Sequence, residues 1–124
     1  MADDDSNDAF DYMGQIKAAI RFAKGVNVYD DPAATFRPPA ALVFAPELDL
    51  AVGADATEAT YPVIVMASGD KDVLKRLLKL VSQVAQAIHE NTDNSVIVRS
   101  ASPGNYEAGG QALPCYLLTV EVSL

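Results

Sequence analysis

Covalent and acid–base catalysis need a nucleophile, a base and a group that orients the base, and this chain has one histidine, His89, and one cysteine, Cys115. A single histidine severely limits the options. His89 falls in the last turn of a long helical pattern, where a cation complements the helix dipole, so it reads as structural or solvated. Cys115 stands beside Pro114 with no basic neighbour in sequence to activate the thiol, so it reads as a small packing residue. Acids crowd the amino terminus (Asp3, Asp4, Asp5, Asp8, Asp11) and elsewhere stand singly or in isolated pairs such as Asp30 with Asp31 and Asp70 with Asp72. None has zinc-ligand spacing, and the run at residues 3–5 lacks the glycine and terminal Glu of a calcium loop. Gly104, Gly109 and Gly110 superficially echo a phosphate-cradling loop, yet no Lys-Ser or Lys-Thr follows and no helix pattern begins there. They suit conformational joints better. The expectation is a protein that is not an enzyme and takes no cofactor and no metal.

The 124 residues, half of them hydrophobic, suit one globular domain, residues 1–124, with an acidic, flexible tip at 1–7. A lone cysteine forms no internal disulfide, and no charged segment followed by an apolar stretch opens the chain, so retention inside a cell, or in a particle assembled there, is expected. No apolar run approaches the roughly 20 residues of a bilayer span, so no membrane is expected. The net charge of −8 repels phosphates and argues against sequence-specific DNA binding. An acidic wall would still let a duplex slide past without sticking.

Several elements must frame these residues. Phe10, Met13, Ile16, Ala19, Ile20 and Ala23 form one stripe of a first helix over residues 8–24, with acids before its first turn, bases toward its end and Gly25 as the left-handed stop. A weak strand at 26–29, a strand at 41–44 stopped by Pro46, and, over 47–58, a half-exposed edge strand before a turn at 53–59 or else a long ordered loop follow. Tyr61 to Ala67 is continuously apolar and reads as a buried strand, with Pro62 near its start. Asp70 is placed to cap a helix running to about Glu90, whose apolar stripe (Val73, Leu77, Leu80, Val81, Val84, Ile88) is widened by Leu74, Leu78 and Ala85. Lys71, Lys75, Lys79, Gln83 and Gln86 form its solvent ridge. A strand at 95–100 and a strictly alternating strand at 116–124 end the chain, separated by an apparent loop at 101–114 too long for a tight turn. The fold class is α+β: a single small domain, mostly antiparallel sheet, with an N-terminal helix and one long amphipathic helix packed on one face.

What remains is surface available to a partner. Candidate interface residues are Glu47, Asp49 and Leu50 on the edge segment, Lys71 and Lys75 on the helix ridge, and Tyr106, Glu107, Gln111 and Leu113 on the long loop.

The order of parts resembles a known family. The run Thr60-Tyr-Pro-Val-Ile-Val-Met-Ala-Ser-Gly-Asp, the long helix, Val98-Arg-Ser-Ala-Ser-Pro-Gly-Asn-Tyr and Gly109-Gly-Gln-Ala-Leu-Pro-Cys-Tyr-Leu-Leu-Thr-Val-Glu-Val are similar to the tail terminator (tail completion) proteins of long-tailed bacteriophages, particularly those infecting actinobacteria. The likeness covers about residue 36 to the end, and the first helix more loosely. It implies a structural virion protein that forms a homo-hexameric ring on the finished tail tube, stops tube polymerisation and joins the tail to the head connector. The implied partners are other copies of the chain, the major tail tube protein, head–tail connector proteins, and genomic DNA passing through the lumen without specific binding. The implied location is the tail or neck of a virion assembled in the host cytoplasm. Two further readings stand beside it: another head–tail neck protein, and a small ferredoxin-like ligand-binding regulatory domain, since strand, helix, strand, strand is an order such domains share.

Overall fold

Tyr61, Val63 and Val65 alternate with half-buried Pro62 and Ile64, which places every second side chain of this strand in the interior. The strand is β4 (Ala56–Met66), the central member of a six-stranded mixed sheet. The computed structural model describes residues 6–31, 36–51, 56–67, 71–108 and 110–124. In chain order these carry α1 (Ser6–Ile20), β1 (Asn27–Tyr29), β2 (Ala40–Val43), β3 (Glu47–Leu50), β4, α2 (Val73–Asn91), β5 (Val96–Ala108) and β6 (Gln111–Ser123). They form a single small α+β domain, as the sequence leads one to expect.

The sheet order is β1-β2-β4-β6-β5. Only β1 and β2 run parallel; the remaining pairs are antiparallel. Because β4 and β5 both run antiparallel to β6, they are parallel to each other, and α2 connects them across β6 as a split β–α–β unit. On the other edge of β4, β2 pairs with Val63–Met66 and β3 with the opposite end, Glu47 facing Thr60. Pro62 sits at that changeover. Its carbonyl accepts from the Phe44 N–H at 2.9 Å, so its missing N–H points to the same side, into the gap between β2 and β3, and takes no bond from the β4–β6 ladder.

Both helices pack on one face. Ile16 and Ile20 of α1 and Leu77, Leu80, Val84, Ala87 and Ile88 of α2 meet Ala41, Val43, Tyr61, Val63, Val65, Leu118, Val120 and Val122 in the main core. Full burial of a side chain of this size contributes about 1.5–3 kcal/mol, so this layer dominates stability. At one end of the opposite face, Ala40, Leu42, Met66 and Cys115 form a second, smaller core, walled by Tyr29, Phe36, Phe44, Tyr106 and Leu113.

Helix α1 ends at Ile20, earlier than its apolar stripe suggests. The chain tightens there to i→i−3 bonds from Phe22 to Ala19 and from Ala23 to Ile20, and Gly25 takes the left-handed conformation at φ 84°. Helix α2 begins at Val73 behind Asp72, itself left-handed at φ 61° and without a side-chain cap bond; Asp70 lies outside the described residues. Its far end is closed by side chains: Asn91 Nδ2 and Thr92 Oγ1 donate to the carbonyls of Ala87 and Ile88.

Three expectations need correction. Residues 101–114 are not a loop: β5 and β6 continue as a hairpin whose last pair is Ala108 with Gln111, which leaves only two residues of sequence between the strands. Pro103 lies on the edge strand, and Pro114 lies past Cys115, the last residue of β6 that pairs with β4, where β6 has one neighbour. Leu74 and Leu78 do not widen the buried stripe; they are 59% and 47% exposed. Tyr106 and Leu113 are half-buried against the second core rather than displayed.

Candidate functional site

The groups that could do chemistry stay apart. His89 is exposed on α2, while Cys115 is buried under the aromatic wall of the second core, where burial pushes its thiol pKa up and leaves it protonated. Gly104 lies inside β5, where an added Cβ would meet the Cys115 sulfur at 3.9 Å, and Gly110 lies in the hairpin turn. Asp30 is paired with Lys17 at 2.6 Å, and the Lys17 hydrogen bond and charge hold its carboxyl below the usual range. Among the described residues, no three His, Cys, Asp or Glu side chains are grouped to hold a metal ion, and no helix is long and apolar enough to cross a membrane. The acidic run at residues 3–5 lies outside the described residues.

What the fold assembles instead is a set of open sheet edges. The strand order ends at β5 on one side and at β1 on the other, and β3, which among the described residues pairs only with β4, leaves a further open edge on the side of β1. An unpaired strand presents a row of backbone donors and acceptors that template another strand. All four side chains of β3 are exposed. Leu48 pairs with Ala59 of the main core, so it points to the helix side, and alternation puts Leu50 there too, at 60% exposure. Glu47 and Asp49 point to the opposite face, beside Glu58 and Glu121.

That opposite face is therefore acidic. Arg99 lies within it, at a register irregularity of β5, and donates from Nε and Nη2 to one Glu121 oxygen at 3.1 and 2.8 Å; the two hydrogen bonds and the carboxylate charge raise the guanidinium pKa. Basic residues gather elsewhere: Lys71, Lys75, Arg76 and Lys79 are four of the nine Lys and Arg in the chain, and all are exposed at or near the start of α2. The charge is thus split, with acids on the bare sheet face and bases at the helix.

Between α2 and the outer edge of β5 runs a groove of about 540 Å³, lined by Ala85, His89, Asp93, Val96, Ile97 and Val98. Leu74, Leu78 and Ala85 lie on the β5-facing flank of α2, at helical spacing. The structure thus brings Glu47, Asp49 and Leu50 together on β3, keeps Lys71 and Lys75 exposed beside α2, and places Glu107 exposed near the hairpin tip. The side chain of Gln111 lies outside the described residues. Leu74, Leu78, Ile97 and Arg99 are surface features that pattern reading missed: the leucines satisfy the helix stripe, and nothing local marks β5 as the outermost strand.

No protein-family model matches the chain, and no characterised protein sequence matches it significantly.

Proposed function

We propose that the protein is a structural ring component that caps a phage tail tube, ends its polymerisation and joins the tail to the head connector. The observation that carries this reading is that β3 and β5, two of the open edges among the described residues, lie on opposite sides of β4 in one sheet. Surfaces of this kind serve head-to-tail association, and a rotation that closes turns such contacts into a finite ring. The resemblance of the sequence to tail terminators supplies the assembly to which the ring belongs.

The distribution of charge supports the same reading. Glu47, Asp49, Glu58 and Glu121 share the sheet face that the helices leave bare. Turned toward a lumen, that face repels passing phosphates within a Debye length of roughly 8–10 Å. The β5–β6 arm extends past the end of β4 by the pairs from Asn105 with Pro114 to Ala108 with Gln111, a projection of about 13 Å available for contact with a tube or neck subunit.

Size-exclusion mass measurement with and without tail tube protein tests the proposal. A ring, or a complex with tube ends, is the expected result. A discrete dimer whose mass responds to a small molecule and ignores tube protein would favour a regulatory domain.

A further inference from the structure

We infer that β3 of one copy adds to the outer edge of β5 of the next, extending the sheet from subunit to subunit. The occupant of the β5 edge is thus a second copy of this chain, through its four-residue strand Glu47–Leu50. Both faces of the two strands agree with this pairing. With the helices of both copies on the same side of the joined sheet, Leu48 and Leu50 fall on the side of the α2 flank formed by exposed Leu74 and Leu78 and half-buried Ala85. On the other side Glu47 and Asp49 fall beside Arg99. Its bonds to Glu121 use Nε and Nη2, which leaves the Nη1 donors for a second carboxylate.

Length agrees as well. The irregularity at Arg99 and the missing donor of Pro103 interrupt the β5 edge, so a long partner strand would lose bonds at both points, whereas a four-residue strand spans about 13 Å. The contact is heterologous: β3 and β5 are different surfaces, so every added copy leaves one β3 and one β5 open until the assembly closes. It deepens the ring reading above by naming the subunit joint, and it is testable without a tube.

Sedimentation of the full chain over a concentration series reads the joint. Arg99→Glu and Asp49→Arg should each weaken self-association by roughly tenfold or more, with an unchanged melting temperature reporting an intact fold. The combined Asp49→Arg/Arg99→Glu chain reverses both partners and should recover association to within about threefold of the natural chain. A combined variant no stronger than either single one overturns the pairing, as does a natural chain that stays monomeric at every concentration. Rescue by the combined variant without any effect on tube growth would keep the joint and remove the terminator reading. Tube capping by a combined variant that does not recover association would do the reverse.

Discussion

The Tyr61 hydroxyl, at the centre of β4, donates a hydrogen bond to the backbone carbonyl of Ala9 in α1 and so ties the first helix to the middle of the sheet. The ring is fully buried, and α1 has no other polar tie to β4 among the hydrogen bonds of the described residues. Tyr61→Phe keeps the packing and removes only this bond. It should cost about 1 kcal/mol, since the Ala9 carbonyl retains its place in the helix ladder. Chemical denaturation of both chains at neutral pH measures the difference.

The same residue should dominate the alkaline limb of stability. Burial, with a smaller contribution from Tyr12, pushes the Tyr61 pKa up from 10.0 to about 12. The unfolded chain ionises this phenol near 10 and the folded chain does not, so stability falls as pH rises through 10 and goes on falling to about 12. The gap corresponds to about 2–3 kcal/mol. Unfolding curves between pH 9 and 12 (about the ordinary and shifted tyrosine range) should be visibly flatter for Tyr61→Phe than for the natural chain.

Lys17 and Asp30 join α1 to the end of β1 across 2.6 Å, with the carboxylate half exposed. The Lys17 hydrogen bond keeps the Asp30 pKa below its ordinary 3.8. Its stabilisation is therefore complete above that value and is lost as pH falls through the lowered one. Lys17→Ala should raise the Asp30 pKa in an NMR titration, and the accompanying loss of stability should be no more than about 1 kcal/mol, shrinking further in high salt.

The hairpin arm is held at its base by Tyr106, whose ring meets those of Phe36 and Phe44 at centroid distances of 5.8 and 6.4 Å. Tyr106→Ala should cost about 2 kcal/mol, above the cost of a typical surface change, and should loosen residues 104–114 in hydrogen exchange before the rest of the sheet. At the tip, Gly110 has φ 81°, so Gly110→Ala strains the turn by about 1 kcal/mol without touching either core.

Much of this architecture is legible in the residues. The β6 alternation from Tyr116 to Val122, the buried stripe of α2 and the left-handed Gly25 follow from periodicity and backbone sterics alone. The arm does not. Ser102-Pro103-Gly104 and Pro114 look like loop composition, and only their positions, on an edge strand and beyond the end of β4, make them tolerable in a ladder. Gly109-Gly110 is a hairpin signal that the flanking prolines hide. The extension of β4 back to Ala56 is equally hidden, because it depends on tertiary partners: β6 beside Glu58, Ala59 and Thr60, and β3 across a register irregularity at Ala56. Of the candidate surface, Glu47 and Asp49 are exposed as their alternation implies, whereas Leu48 and Leu50, on the apolar side of that alternation, are exposed as well. Leu74 and Leu78 satisfy the helical stripe and yet miss the core, since β5 ends the sheet beneath them.

Leu78→Ser should therefore leave thermal stability within about 0.5 kcal/mol of the natural chain, whereas Leu77→Ser, one position earlier, buries a hydroxyl and opens a cavity and should cost about 3 kcal/mol or more. If Leu78 belongs to a subunit joint, its substitution weakens assembly while the monomer melts normally. Calorimetry and sedimentation on the same samples separate the two effects.

The most direct test of the capping role is the length of tail tubes grown from purified tube protein with and without this chain, viewed by electron microscopy. The account predicts that far fewer copies of the chain than of tube protein arrest growth, giving short tubes with ring density at one end. Tubes of unaltered length with bare ends, at a concentration where the chain is folded and associated, would contradict it.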